Sequence, residues 1–267
     1  MPQDTVPSLA ANRRTFLKGA SLTGMALAGA AMIGTEFAGQ TAEAATYNDA
    51  DILNFALNLE YLEAEFYTMA TYGTTLVGLG VLTTADETGP TTGGQMVPGF
   101  AKLPEAYLAT ALRTDEILHV KYLRAALGSG AVKKPAINLN ALGYGFADID
   151  SFLKLARQFE DVGVSAYLGA APMITSKTYL GAAGAILATE AQHSGTIREL
   201  CIKNGVISPR LDAIDVPPNS NKPYDVDANA LSKPRTVQQV LAIVYAGGNC
   251  SGGFYPQGMN GNISCGG

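Results

Sequence analysis

Residues 188–199 read ATEAQHSGTIRE, and this stretch places Glu190 three positions before His193. Side chains three residues apart on an α-helix lie on the same face, so a helix here would point both groups the same way. The chain contains only two histidines, and the other one, His119, follows Glu116 at the same spacing in the segment DEILH. The repeated pair indicates a shared chemical role for the four side chains.

A Glu-x-x-His pair on each of two helices, joined by one glutamate from each of two further helices, is the ligand set of dinuclear metal sites in helical bundles. Two lone glutamates fit this pattern. The first comes from a helix predicted over residues 49–72, where Glu60 and Glu63 both lie on the apolar face and both are candidates. Glu160 lies beside the apolar line of a helix predicted over residues 151–173.

Apolar residues at three- and four-residue spacing predict four long helices, and these cover residues 49–72, 104–127, 151–173 and 176–204. A tight turn joins the third helix to the fourth. The connection over residues 129–149 is long enough to run back along a bundle. The predicted fold class is therefore all-α, a four-helix bundle with a long crossover between helices 2 and 3.

The predicted helices bring the motif residues to matching heights. Counted from the connecting turns, Glu160 is level with Glu190, and Glu60 is level with Glu116, on antiparallel neighbours. Four buried carboxylates with no lysine or arginine at helical spacing on the same faces would repel one another. Bound metal is the simplest way to stabilise such a group.

The two halves of the predicted bundle also repeat a local pattern. Tyr67 follows Glu60 by seven residues, and Tyr167 follows Glu160 by seven residues, which is two helical turns along the same face. Glu65 falls off the apolar face of the first helix, and we expect it to be a solvated charge.

The first residues predict a targeting segment. Arg13 and Arg14 precede a weakly apolar run, and small residues before Ala45 offer a cleavage site, so residues 1–44 resemble a twin-arginine signal peptide. An N-terminal membrane anchor is the alternative, but the run is short and interrupted by polar residues. We expect export to the periplasm or the extracellular space, with no stable membrane span after processing.

Composition limits the remaining function classes. The chain has 267 residues, 47% hydrophobic and 15% charged, and a formal net charge of -5. No run of lysine or arginine occurs, which argues against nucleic acid as a partner and favours metal ions and small molecules. We assign residues 45–207 to the bundle and residues 208–267 to a loop-rich C-terminal extension. An accessory helix, predicted over residues 235–246, packs on the bundle.

Three cysteines occur in the C-terminal third of the chain. In an oxidising compartment Cys250 and Cys265 could close a loop in the glycine-rich tail, which would leave Cys201 without a partner. The chain has no Cys-x-x-Cys, which excludes a rubredoxin-type iron centre and a thiolate zinc site.

The segment ALNLEYLEAEFY over residues 56–67, the two Glu-x-x-His motifs and the segment VLAIVYAGG over residues 240–248 resemble the ferritin-like superfamily, in particular its exported and desiccation-related branch. The resemblance implies a site for two iron or two manganese ions. Its expected ligands are Glu60, Glu116, His119, Glu160, Glu190 and His193. The resemblance also implies hydrogen-bonding positions around the ligands, and these fall on Glu63, Tyr67 and Tyr167.

Carboxylate and imidazole ligands suit Fe(II) or Mn(II), and the resemblance implies dioxygen or peroxide as substrates. The expected activity is that of an oxidoreductase in stress protection, either ferroxidase-like or peroxidase- or catalase-like. The alternative is a non-catalytic structural or stress-related protein in which metal only stabilises the fold. The complete ligand set favours the enzyme, whereas the lack of a recognisable substrate channel or electron-donor motif favours the alternative.

Overall fold

A computed structural model describes residues 47–100 and 106–266, and its core is a bundle of four long helices. The helices are α1 (Asp49–Tyr72), α2 (Ala106–Leu127), α3 (Ile149–Ala170) and α4 (Lys177–Lys203). The predicted all-α bundle is therefore confirmed. The export signal predicted over residues 1–44 lies outside the described residues and stays a prediction.

Local sequence signals set the ends of α1. Asn48 caps the helix, because its side chain accepts from the backbone N–H of Asp51 and the Asp51 carboxylate accepts from the N–H of Asn48. Gly73 ends the helix in the left-handed conformation, with φ of 64°. Both caps agree with the predicted boundaries of residues 49–72.

Each half of the bundle is an antiparallel helix pair. In the first half, Arg113 near the start of α2 donates to Thr71 near the end of α1, and Arg124 near the end of α2 donates to Tyr61. In the second half, the Cys201 thiol near the end of α4 lies 3.6 Å from a backbone carbonyl near the start of α3. The two hairpins give the bundle its internal repeat.

The crossover between α2 and α3 runs along α1. Near its start, the carbonyl of Val132 accepts from the Tyr61 hydroxyl, and near its end the Phe146 ring packs at 5.3 Å from the Phe66 ring. The turn after α3 then contacts the start of α1, because Thr175 donates to Asp49. Helices α2 and α3 are consequently parallel, as the length of the connection predicted.

The loop between α1 and α2 supports this crossover. Two short strands, β1 (Thr91–Thr92) and β2 (Ile137–Asn138), pair in parallel and join the loop to the crossover. Lys134 of the crossover is fully buried and donates to the backbone carbonyl of Gly89. The loop between α1 and α2 therefore covers part of α1, where the N–H groups of Leu76 and Val97 donate to Glu65 and to the carbonyl of Ala70.

The C-terminal extension packs on α1 and α3. Its helix α5 (Val237–Val244) follows Arg235, whose N–H donates to the Ser165 carbonyl of α3. The Tyr255 hydroxyl donates to the carbonyl of Asn58 in α1. Helix α5 is shorter than the predicted residues 235–246, but the expected contact with the bundle is present.

The disulfide between Cys250 and Cys265 closes the loop in this tail that the cysteine positions allowed. Cys201 is buried and unbridged. None of the described helices has both the length and the apolar composition required to cross a membrane.

The expectation for Glu65 is wrong. Its side chain is fully buried, and its carboxylate accepts from the N–H of Leu76 and lies 3.8 Å from the ammonium group of Lys134. The periodicity of α1 predicts that this face contacts solvent. In the structure, the loop between α1 and α2 and the crossover cover it. The ion pair comes from a residue almost seventy positions away, which helical spacing does not detect.

Gly169 tests how the extension docks on α3. A Cβ at this position would lie 1.9 Å from the carbonyl oxygen of Arg235. Replacing an exposed helical glycine with alanine stabilises a protein by roughly 0.5–1 kcal/mol, but Gly169→Ala should lower the free energy of unfolding by about 1–3 kcal/mol because the backbones must separate. Urea unfolding measures this change.

Gly184→Ala is the matched control. Gly184 also lies in a long helix of the bundle, but a Cβ there would meet nothing within 4 Å. The substitution should raise the free energy of unfolding slightly. A shift of both variants in the same direction would contradict the docking described here.

Candidate metal centre

The six predicted ligand side chains meet at the centre of the bundle. Each of the four helices supplies at least one of them, and α2 and α4 each supply a Glu-x-x-His pair. The four glutamates are fully buried, and the two histidines are nearly so. The residues are Glu60 of α1, Glu116 and His119 of α2, Glu160 of α3, and Glu190 and His193 of α4.

These side chains form two overlapping groups that share two carboxylates. Glu116 and Glu190 belong to both groups. Glu60 and His119 complete the first group, and Glu160 and His193 complete the second. In each group, one ligand-type atom from every residue lies within 4.8 Å of the others. The arrangement has the form of a dinuclear site, with one terminal glutamate and one histidine on each side of a shared pair.

Distances in the first group fit a common central ion. The Nδ1 atom of His119 lies 3.1 Å from Glu60, 3.0 Å from Glu116 and 3.3 Å from Glu190. One ring N–H cannot donate well to three oxygens. Ligands about 2.1 Å from an octahedral ion lie about 3.0 Å from their neighbours, so the observed spacings, which are also hydrogen-bond distances, are compatible with a shared ion.

The second group repeats this geometry. The Nδ1 atom of His193 lies 2.9 Å from Glu116 and 3.4 Å from Glu160. Although these atoms are close, the Nδ1 atom makes no hydrogen bond of acceptable geometry. The nitrogen and the oxygens are directed toward the space between them rather than toward one another.

Several buried oxygens of the site also have no hydrogen-bond donor. They are one oxygen of Glu116, one of Glu160 and both of Glu190. An unsatisfied buried polar atom costs about 1–3 kcal/mol, more when it is charged. Four carboxylates carry four negative charges, and two divalent cations balance them with neutral histidines. The residues therefore fit two divalent ions.

A second cluster of buried carboxylates is paired with arginine side chains instead. Asp161 lies 2.6 Å from Arg198 and 3.4 Å from Arg157, and Arg157 also pairs with Asp215 at 2.8 Å. These aspartates have arginine partners and need no metal. In the described part of the chain, no lysine or arginine forms an ion pair with any of the four glutamates at the centre.

Two tyrosines hold the terminal glutamates from the opposite helix. The Tyr167 hydroxyl of α3 donates to Glu60 of α1 at 2.5 Å, and the Tyr67 hydroxyl of α1 donates to Glu160 of α3. Burial and the facing carboxylates raise the pKa of both phenols well above the ordinary value, so both stay protonated donors. Each terminal carboxylate keeps its other oxygen for the centre.

Glu63 is close to the centre but belongs to neither group. Burial, followed by repulsion from Glu190 and Glu116, raises the pKa of Glu63 well above its usual range. The structure therefore separates Glu60 from its sequence alternative Glu63, because only Glu60 lies within reach of His119.

Asp115 is a residue of the site that the sequence did not single out. Its carboxylate lies 3.1 Å from Nε2 of His193 and holds the ring with Nδ1 toward the centre. A carboxylate behind a ligating histidine fixes the tautomer and the orientation of the ring. The contact joins α2 to α4, so its only sequence signal was the position of Asp115 directly before Glu116.

Without metal, protons must replace the missing positive charge. Burial raises the pKa of Glu116 to about 7, although His119 and His193 oppose the shift. Burial lowers the pKa of His193, but the nearby carboxylates of Glu116 and Glu160 outweigh it and raise the pKa to about 12. Glu116 and His193 therefore bind protons more tightly than the isolated groups do.

The comparisons with known proteins agree with this geometry. The chain is similar to the ferritin-like catalase Nec2 of Nesocodon mauritianus, with 26% identity over 270 aligned positions that cover 81% of this chain and 85% of that protein. Assignment to the desiccation-related branch stays a prediction. Residues 48–203, more than half of the chain and the whole of the helical bundle, match the model of the ferritin-like domain, so the chain belongs to the ferritin-like family.

Proposed function

We propose that this protein is a dinuclear metal oxidoreductase that breaks down hydrogen peroxide. The observation that carries the proposal is the pair of buried ligand groups sharing Glu116 and Glu190. The similarity to a protein named a ferritin-like catalase supports peroxide as the substrate. In this reaction one peroxide molecule is oxidised to dioxygen and a second is reduced to two molecules of water.

The six ligand residues have distinct roles in this proposal. Glu116 and Glu190 belong to both ligand groups and would be shared by the two ions, whereas Glu60 and Glu160 belong to one group each and would each hold one ion. Two iron or two manganese ions bound there would exchange electrons with peroxide as a pair. The carboxylates keep the site electrically balanced, and the bundle core excludes bulk water from it.

The surrounding residues fix the ligands in place. Tyr67 and Tyr167 each hold one oxygen of a terminal glutamate, which limits rotation of the carboxylate. Asp115 accepts from Nε2 of His193 and leaves Nδ1 as the ligand atom. These contacts orient the ligand atoms toward the centre.

Oxygen release tests the proposed activity. Protein loaded anaerobically with Fe(II) or Mn(II) should release one molecule of dioxygen for every two molecules of peroxide consumed, and Glu190→Ala should abolish the release because it removes a shared ligand. A metal-bound protein that oxidises Fe(II) but releases no oxygen from peroxide would indicate the ferroxidase-like alternative. A metal-bound protein that does neither would support the structural alternative.

Metal loading should also stabilise the fold. Binding to the folded state alone adds about 4 kcal/mol when free metal is 1,000 times Kd, which raises Tm by roughly 10 °C. His193→Ala should remove most of this gain. Differential scanning calorimetry with and without metal measures the change.

Glu199→Gln is the control for that measurement, since Glu199 is an exposed acidic residue on the same helix as His193. It should retain the full gain. Equal Tm values for wild-type protein with and without metal would exclude this centre as a metal site.

The stability of the metal-free protein should fall as pH rises from about 5 to about 8. Glu63, Glu116 and Glu190 have raised pKa values, so the folded state keeps protons that the unfolded state has lost. The raised pKa of His193 also lowers the stability of the folded state as pH rises above 6.5, the ordinary pKa of this group. The lowered pKa of Glu60 makes stability rise with pH, but only below pH 4.5, the ordinary pKa of this group, and therefore outside the range tested.

Metal loading displaces these protons, so the gain in Tm on loading should grow over the same pH range. Thermal unfolding at several pH values, with and without metal, measures both trends. A metal-free Tm that rises steadily from about pH 5 to about pH 8 would contradict the charge balance described here.

A further inference from the structure

A cavity of about 670 Å³ lies between the bundle and the C-terminal extension. Its inner wall is formed by buried apolar side chains of α1 and α3, including Leu62, Phe159 and Val162. Its outer wall is formed by residues 209–214 and by α5, where Ala242 is exposed. The cavity therefore leads from the protein surface to the α1 and α3 faces beside the metal centre. Its volume is within the range of about 300–1,000 Å³ that is typical of small-molecule sites.

The charged groups in the outer wall already have partners. Arg210 donates to the carbonyl oxygens of Ala213 and Asp215, and Asp212 pairs with Arg235 at 2.8 Å. Since neither charge is free to pair with a ligand, the outer wall does not favour an anion or a cation. The remaining lining is mainly apolar, which favours an uncharged molecule.

One polar group in the inner wall has no such partner. The Glu63 side chain is 4% exposed and lines the cavity, and among the described residues no hydrogen-bond donor reaches its carboxyl group. A buried carboxyl group of this kind can bond to a hydroxyl or carbonyl group of a ligand. Glu63 thus marks the inner end of the cavity as a place for a polar end group.

Gly163 creates the space that Glu63 occupies. It lines the same cavity, and a Cβ at this position would lie 2.4 Å from Glu190 and 3.2 Å from Glu63. Gly163 is the counterpart of Glu63 in the internal repeat that relates Glu60 to Glu160. The repeat is broken here, so Gly163 and Glu63 both line the cavity next to Glu190, which belongs to both ligand groups.

We propose that this cavity binds an uncharged, largely apolar organic molecule, such as a medium-chain alcohol, with its polar end at Glu63. The apolar walls hold the hydrocarbon part, and the Glu63 carboxyl group bonds to the hydroxyl group. The bound molecule lies directly beside the metal centre. This binding does not depend on whether the ions act on peroxide.

Isothermal titration calorimetry with 1-decanol on the full chain, incubated anaerobically with Fe(II) or Mn(II), tests the proposal. Wild-type protein should bind one molecule with a negative heat-capacity change, as expected for burial of apolar surface. Decanoate and decyltrimethylammonium, which carry a charge into the same cavity, should bind at least about tenfold more weakly. Equal binding of all three molecules would overturn the proposal.

Two pairs of variants locate the site. Ala242→Trp fills the mouth of the cavity and should weaken 1-decanol binding at least about tenfold, whereas Ala125→Trp, at an exposed alanine of α2 outside the cavity, should not. Glu63→Leu should weaken binding of the alcohol by about five- to tenfold, and Glu63→Gln should retain it because an amide still forms hydrogen bonds. Unchanged binding in both Ala242→Trp and Glu63→Leu would overturn the proposal.

Metal content and oxygen release are measured on the same samples. Wild-type protein that binds 1-decanol as described but neither holds metal nor consumes peroxide would overturn the proposed function and support the cavity proposal. Wild-type protein that holds metal and consumes peroxide but does not bind 1-decanol would overturn the cavity proposal alone.

Discussion

The structure depends on four carboxylates that are buried together without a lysine or arginine partner among the described residues. In a medium of low dielectric constant such a group is unstable unless protons or metal ions supply positive charge. The Arg157, Arg198 and Asp161 cluster, a few residues away on α3 and α4, shows that the chain neutralises buried aspartates with arginine elsewhere. The absence of such partners at the centre is therefore specific to that place, and it reserves the site for cations that enter from outside.

The two helical hairpins bring the four carboxylates and the two histidines together at one level of the bundle. Each hairpin supplies one lone glutamate and one Glu-x-x-His pair, and the parallel arrangement of α2 and α3 brings the two halves into a twofold-like relation. The crossed hydrogen bonds of Tyr67 to Glu160 and of Tyr167 to Glu60 then tie each half to the other. Because the long crossover and the C-terminal extension cover α1 and α3, the segments that contain no ligand residue still protect the site from water.

Periodicity and residue spacing were sufficient to predict the four helices and the crossover, and they placed the candidate ligands on shared faces. The choice of Glu60 over Glu63 came from the resemblance to the ferritin-like superfamily. The helices and their shared faces depend on local helical geometry, in which side chains three, four or seven residues apart share a face. The burial of Glu65 and the contact of Asp115 with His193 were not predictable in this way. Each depends on a partner far away in the sequence. Helical spacing gives no information about such a partner until the packing is known.

The internal repeat also explains where the two halves of the site differ. Glu60 and Tyr67 have counterparts in Glu160 and Tyr167, but the counterpart of Glu63 is Gly163. A second carboxyl group at position 163 would add negative charge to a centre that already has four buried carboxylates without a lysine or arginine partner among the described residues, and its Cβ would already overlap Glu190. Glycine at position 163 adds no negative charge beside Glu190. Because it has no side chain, it also leaves space in the α3 wall of the cavity. A single departure from the repeat therefore leaves room for Glu190 in the carboxylate cluster and places the α3 backbone in the wall of the apolar cavity beside it.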